Sequence, residues 1–140
     1  MENTSEKAIN GRIDFMLAQP IADKSFNSVV VIDDNLVRSK IWIKKLEADF
    51  IDIRHFYTIQ AAIAEFEITS IPATPTLWML DEYFYNQPLS KKDVKQLLQH
   101  KGERDIFISI SRRSRRCSYF DFIVGDEPRS WEALRKEIGV

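Results

Sequence analysis

The sequence predicts an α/β fold, a doubly wound sheet of five parallel strands preceded by an N-terminal extension. Three observations carry that prediction. Short apolar runs rich in β-branched residues recur along the chain. Helical apolar patterns alternate with them, and repeated β-then-α units imply parallel strands joined by right-handed crossovers. The 140 residues suit one domain and are enough for a sizeable core. Net charge is −1, which argues against a general nucleic-acid binder. Cys117 is the single cysteine, so an intrachain disulfide scaffold is excluded and a reducing, cytoplasmic setting is expected. No apolar run approaches the ~20 residues of a membrane span, and MENTSEKAIN lacks the plan of a secretion signal.

Residues 1–27 read as the extension. Ile9, Ile13, Met16 and Leu17 recur at helical spacing and Pro20 follows them, so a helix is expected there. Residues 28–140 read as the α/β domain. VVVI (29–32) is a continuous β-branched run, as in a strand covered on both faces. Leu36, Val37, Ile41 and Leu46 mark a helix. IDIRHFY (51–57) alternates as a second strand. Thr58 can cap the next helix, where Ile59, Ala62, Ile63 and Phe66 fall on one face. IPATP (71–75) breaks the chain, and TLWML (76–80) is the third strand. Ser90 and Asp93 fit a capping box before Val94, Leu97 and Leu98. DIFISIS (105–111) and YFDFIV (119–124) are strands four and five. Trp131, Leu134 and Ile138 give the last helix its stripe, with Ser130 as a candidate cap.

In an open parallel sheet ligands bind beyond the carboxyl ends of the strands. Strand one ends in Asp33-Asp34, strand three in Asp81-Glu82, and strand four in Ser109 and Ser111. Three carboxylates from neighbouring strands therefore converge, and like charges so close need a cation. Hard oxygen ligands suit Mg²⁺. A carboxylate beside Mg²⁺ can attack phosphorus, because the metal neutralises charge on the transferring group.

On these residues the chain resembles the receiver domain of two-component response regulators, over about residues 29–138. VVVIDDN matches the first strand and its acidic pair, Asp33 and Asp34. TLWMLD matches the third strand and the phosphoacceptor, Asp81. IFISIS matches the fourth strand, whose hydroxyl residue binds the phosphoryl group, here Ser109 or Ser111, with Ser111 favoured at the strand end. The resemblance implies a flavodoxin-like fold, Mg²⁺ held by Asp33, Asp34 and Asp81, and phosphotransfer from a histidine kinase or phosphotransfer protein. The expected function is that of a stand-alone receiver acting on a downstream protein partner, without turnover catalysis. Its alternative is a pseudo-receiver, an adaptor independent of phosphorylation. Two departures favour the alternative. Glu127 precedes Pro128 where the family carries lysine, and an ungapped alignment from Phe122 places Gly125 there. RRSRRCS (112–118) is too short for the usual helix between strands four and five.

Other chemistries find no support. Leu80-Asp81-Glu82 looks like a Walker B element, yet Gly11, Gly102, Gly125 and Gly139 form no phosphate-binding loop. His55 and His100 are isolated, and with one cysteine there is no zinc set. Arg112, Arg113, Arg115 and Arg116 form the densest basic cluster, a candidate contact for an anion or acidic partner. Arg112 or Arg113 is a candidate replacement for the absent lysine. Tyr83, Phe84 and Tyr85 follow Asp81 as a candidate interaction surface or as packing against the N-terminal segment. The N-terminal stretch is open to partner binding or homodimer formation.

Overall fold

The computed structural model describes residues 14–15, 26, 28–69, 75–84, 87–125, 127 and 130–138. Five parallel strands form the expected sheet: β2 (Ser28–Ile32), β3 (Asp52–Phe56), β4 (Thr76–Leu80), β7 (Ile106–Ser109) and β8 (Phe122–Ile123). A sixth, β1 (Asp14–Phe15), pairs antiparallel with β8, so the order across the sheet is β1-β8-β7-β4-β2-β3. The helix expected around Met16 is therefore corrected at Asp14–Phe15, which extend the sheet edge. The rest of residues 1–25 lie outside the described residues. Four helices complete the described elements: α1 (Leu36–Leu46), α2 (Ile59–Ile68), α3 (Lys91–Leu98) and α4 (Trp131–Ile138). A short hairpin, β5 (Tyr83–Phe84) with β6 (Gln87–Pro88), follows β4.

Alternation along the strands divides the core into two layers. Val29, Val31, Leu77, Met79, Ile106 and Ile108 face one side, under Trp42 and Leu46 of α1 and Trp131, Leu134 and Ile138 of α4. Val30, Ile32, Trp78, Leu80 and Phe107 face the other, under Ile59, Ala62, Ile63 and Phe66 of α2 and Val94 and Leu97 of α3. Every residue of β2 and β4 is buried, which explains why their sequences are apolar runs without polar alternation. β3 is partly buried throughout, as befits its place at the edge of the sheet.

The face of α1 differs from the sequence expectation. Leu36, Val37 and Ile41 are exposed, and the buried stripe is Ser39, Trp42 and Leu46. These three fall at i, i+3 and i+7, an equally good helical line. The small Ser39 lies nearest the turn after β2, where its Oγ donates to the Asn35 carbonyl at 2.7 Å. Thr58 and Ser90 cap α2 and α3 as expected, accepting from Ala61 N and Asp93 N. Ser130 does not cap: its buried hydroxyl has no hydrogen-bond partner among the described residues.

The fifth strand is shorter than its apolar run. Tyr119 and Phe120 lie in the connection before it, and Phe120 is fully buried, stacked 5.9 Å from Phe107. The entire connection, residues 110–121, is free of helix. Phe120 and Tyr119 cover the part of the sheet over which a crossover helix would ordinarily pack.

Candidate functional site

The chain leaves β2 toward β3 on one side, then returns across β2 to form β4 on the other. This reversal opens a crevice between the carboxyl ends of β2 and β4. The backbone continues the ladder one residue past each strand: Asp33 N donates to Phe56 O at 3.1 Å and Asp81 N to Ile32 O at 2.9 Å. Those bonds fix Asp33 and Asp81 side by side. His55, at the end of β3, holds the Asp33 carbonyl through Nε2 at 3.0 Å, a structural role.

Asp33, Asp34 and Asp81 each place one carboxylate oxygen within 4.8 Å of the other two. The convergence expected from the sequence is thus present in the fold. Asp33 is wholly buried and Asp81 nearly so, while Asp34 is partly exposed. Together with Asn35, Arg38, Tyr83, Arg112 and Arg113, Asp34 and Asp81 line an open cleft of about 600 Å³.

Sequence reasoning missed Arg38. Its guanidinium forks onto Asp33, with Nε 2.7 Å from Oδ2 and Nη2 2.8 Å from Oδ1. The same Nη2 donates to Asp81 Oδ2 at 2.9 Å. One side chain therefore ties together the acidic ends of two strands. A signal was available. The first turn of α1 carries no acid, and Arg38 sits in it against the helix dipole. A cation is favourable there only where acids answer it. Asn35 caps the same turn by accepting from Arg38 N at 2.9 Å, and Asp33 Oδ1 accepts from Asn35 N at 3.0 Å.

The second oxygen of Asp81 accepts from Ser111 Oγ at 2.7 Å, and that hydroxyl accepts in turn from Glu82 N. Of the two candidate serines, Ser111 reaches the Asp81 carboxylate. Ser109 instead donates to Glu82 Oε2 at 2.6 Å. Burial is the chief force on Asp81 and pushes its pKa up to about 6. The Ser111 hydrogen bond opposes that rise, the Asp33 charge adds to it, and the Arg38 charge opposes it again.

Glu82 is the second residue whose role the sequence concealed. It is fully buried, and its Oε1 accepts from Arg115 N at 2.9 Å with Arg115 Nε 3.7 Å away. Arg115 Nη2 also donates to Leu89 O at 3.1 Å. The connection between β7 and β8 is thereby fixed to the turn after β4. The arginine cluster accordingly divides. Arg112 and Arg113 face the cleft, Arg115 serves Glu82, and Arg116 takes a left-handed backbone (φ 55°) with its N donating to Ser114 Oγ. No lysine stands at the end of β8, where Val124 and Gly125 follow Ile123. Phe84 packs against the α2/α3 side of the core and Tyr83 lines the cleft; Tyr85 and most of the N-terminal segment, the expected packing partner, lie outside the described residues.

No protein-family model and no curated protein sequence matches the chain. Among solved structures it is similar to a response regulator receiver protein from Dyadobacter fermentans, with a TM-score of 0.56 and 18% identity over 80% of this chain and 97% of that one. It is also similar to a chain in a structure of the yeast Spc42 trimeric coiled coil made as a fusion. That match has a TM-score of 0.59 and 10% identity, over 83% of this chain and 80% of that one. Likeness at these identities is likeness of fold: the chain shares its five-stranded parallel α/β architecture with a receiver protein.

Proposed function

We propose that the chain is a receiver-like adaptor, a protein–protein interaction module that works without phosphotransfer. The observation that carries this reading is the helix-free connection from Ile110 to Asp121, bound in place by the buried Glu82. A phosphorylation switch needs a segment beside the acceptor that can take a second position. Here the Ser109 hydroxyl is committed to Glu82, and Arg115 holds the connection through both Glu82 and Leu89. Replacing such contacts requires finding new partners for a buried carboxylate, which is costly. The absence of a lysine at the end of β8 supports the same reading. The partner surface is assigned to α1, where Leu36, Val37 and Ile41 expose apolar area on the helix whose Arg38 lines the acidic cleft.

A second reading has its own support. Ser111 Oγ lies 2.7 Å from Asp81 Oδ1, and Asp81 opens on the cleft. In that reading Asp81 is a Mg²⁺-dependent phosphoacceptor supplied by a histidine kinase or phosphotransfer protein, with Ser111 bonding a phosphoryl oxygen. One experiment separates the two. The chain is incubated with acetyl phosphate and Mg²⁺ and its intact mass is recorded. The adaptor reading expects no adduct. An adduct of about 80 Da that disappears in Asp81→Asn means that a carboxylate oxygen has bonded to phosphorus as acetate left. That result places the phosphoacceptor reading first. Sustained release of inorganic phosphate that persists in Asp81→Asn sinks both and makes the chain an enzyme.

A further inference from the structure

We infer that the Arg38 guanidinium is the resident cation of the acidic cleft, an intrachain replacement for a divalent metal between Asp33 and Asp81. Three carboxylates meet there, and the innermost, Asp33, has no exposure to water. Buried carboxylates crowded together are costly unless a cation or a proton answers them. Arg38 answers two of the three through three N–H contacts of 2.7–2.9 Å. Its planar fork matches both oxygens of Asp33, and the shared Nη2 spans to the neighbouring strand.

A magnesium ion would need the same oxygens at about 2.0–2.1 Å. Ion and guanidinium therefore exclude one another. Arg38 arrives from the cleft side with its side chain 18% exposed, so its tip can be shortened without opening the apolar core. The donor chemistry suits a hard divalent cation, and the arginine is what keeps one out. This inference stands on the Arg38 contacts and goes beyond the adaptor reading, since an adaptor cleft could hold either cation.

The full chain and Arg38→Gln are titrated with MnCl₂, following the free-ion EPR signal, and with MgCl₂ by calorimetry. The parent is expected to show no saturable site below about 1 mM, a concentration at which a preformed carboxylate site would fill. Arg38→Gln is expected to gain a single site at least about tenfold tighter. Adding Asp81→Asn to that variant is expected to remove it. Equal affinity in parent and Arg38→Gln overturns the inference, as does a variant that gains nothing. A readout in the parent alone guards against a variant that fails to fold. Mn²⁺ at 1 mM should leave the Arg38 Nε–H resonance unbroadened, and selective broadening overturns the inference. A phosphoryl adduct seen while these metal results hold would sink the adaptor reading and leave Arg38 as the resident cation.

Discussion

Two buried carboxylates sit at opposite edges of the same pair of strands, and the fold treats them differently. Asp105 precedes β7 at the amino-terminal edge and accepts from Thr76 N, Trp78 Nε1 and Gly102 N at 2.8, 2.9 and 2.7 Å. Asp81 follows β4 at the carboxyl edge and accepts chiefly from the side chains of Ser111 and Arg38. The donors to Asp105 are backbone groups and an indole locked in the core, so they cannot turn away. Those of Asp81 stand on rotatable side chains beside an open cleft. A carboxylate answered by fixed neutral donors is a foundation. One answered by a cationic side chain beside an open cleft is a site that a single substitution can open.

The largest effect expected from this contrast is at the foundation. Asp105→Ala leaves two buried N–H groups, those of Thr76 and the Trp78 indole, without an acceptor, each costing about 1–3 kcal/mol, while the Gly102 N–H is exposed and can bond to water instead. A total loss of roughly 4 kcal/mol is expected, read as a fall in the urea midpoint at unchanged slope. Should Asp105→Ala cost less than a change at Arg38, the ranking of the two edges is reversed and the contrast fails.

Arg38→Ala comes next. It leaves Asp33 buried and charged without its fork, and breaking a pair of this kind costs about 3 kcal/mol. The Arg38 charge favours ionised Asp81, so the loss should be greater at pH 7 than at pH 4.5. Equal losses at the two pH values would mean that Arg38 acts on Asp33 alone.

What the sequence could disclose divides along the same line. The strands were readable because burial on both faces leaves long β-branched and apolar runs, as in Val29–Ile32 and Thr76–Leu80. The meeting of Asp33 and Asp81 was readable because parallel strands bring their carboxyl ends to one edge. Arg38 was harder. Its bond to Asp81 joins residues 43 apart, and only its awkward place in a helix's first turn hinted at acidic partners. The buried face of α1 was misjudged because two apolar lines compete on that helix, and only the sheet beneath decides between them. Glu82 looked like the tail of an acidic strand end, since its partners Ser109 and Arg115 come from chain 27 and 33 residues away.

Asp81→Asn reverses the sign of the effect. The folded chain holds the Asp81 proton up to about pH 6, whereas the unfolded chain releases it near 3.8. Between those values the folded state binds more protons, so this group's contribution to stability declines as pH rises through the window. Asparagine carries no such cost. The variant is expected to match or trail the parent at pH 4 and to exceed it by about 1 kcal/mol at pH 7, seen as a difference in Tm that widens with pH. A constant difference across that range would show that Ser111 and Arg38 fully offset the burial of the charge.

The smallest effect tests the holdfast on the connection between β7 and β8. The Arg115 side chain is about one-third exposed and lies 3.7 Å from Glu82, so its ion pair adds little. The backbone bond from Arg115 N to Glu82 survives truncation. Arg115→Ala should therefore cost only about 0.5 kcal/mol globally. The local consequence is larger than the global one, because the bond to Leu89 O is the tie between this connection and the turn before α3. Amide exchange in residues 112–117 should quicken severalfold while that of β4 and β7 stays unchanged, since local opening draws on local contacts alone. Unaltered exchange would place the hold on the connection in the buried stack of Phe120 on Phe107, and the adaptor reading would then rest on aromatic packing instead of on Glu82.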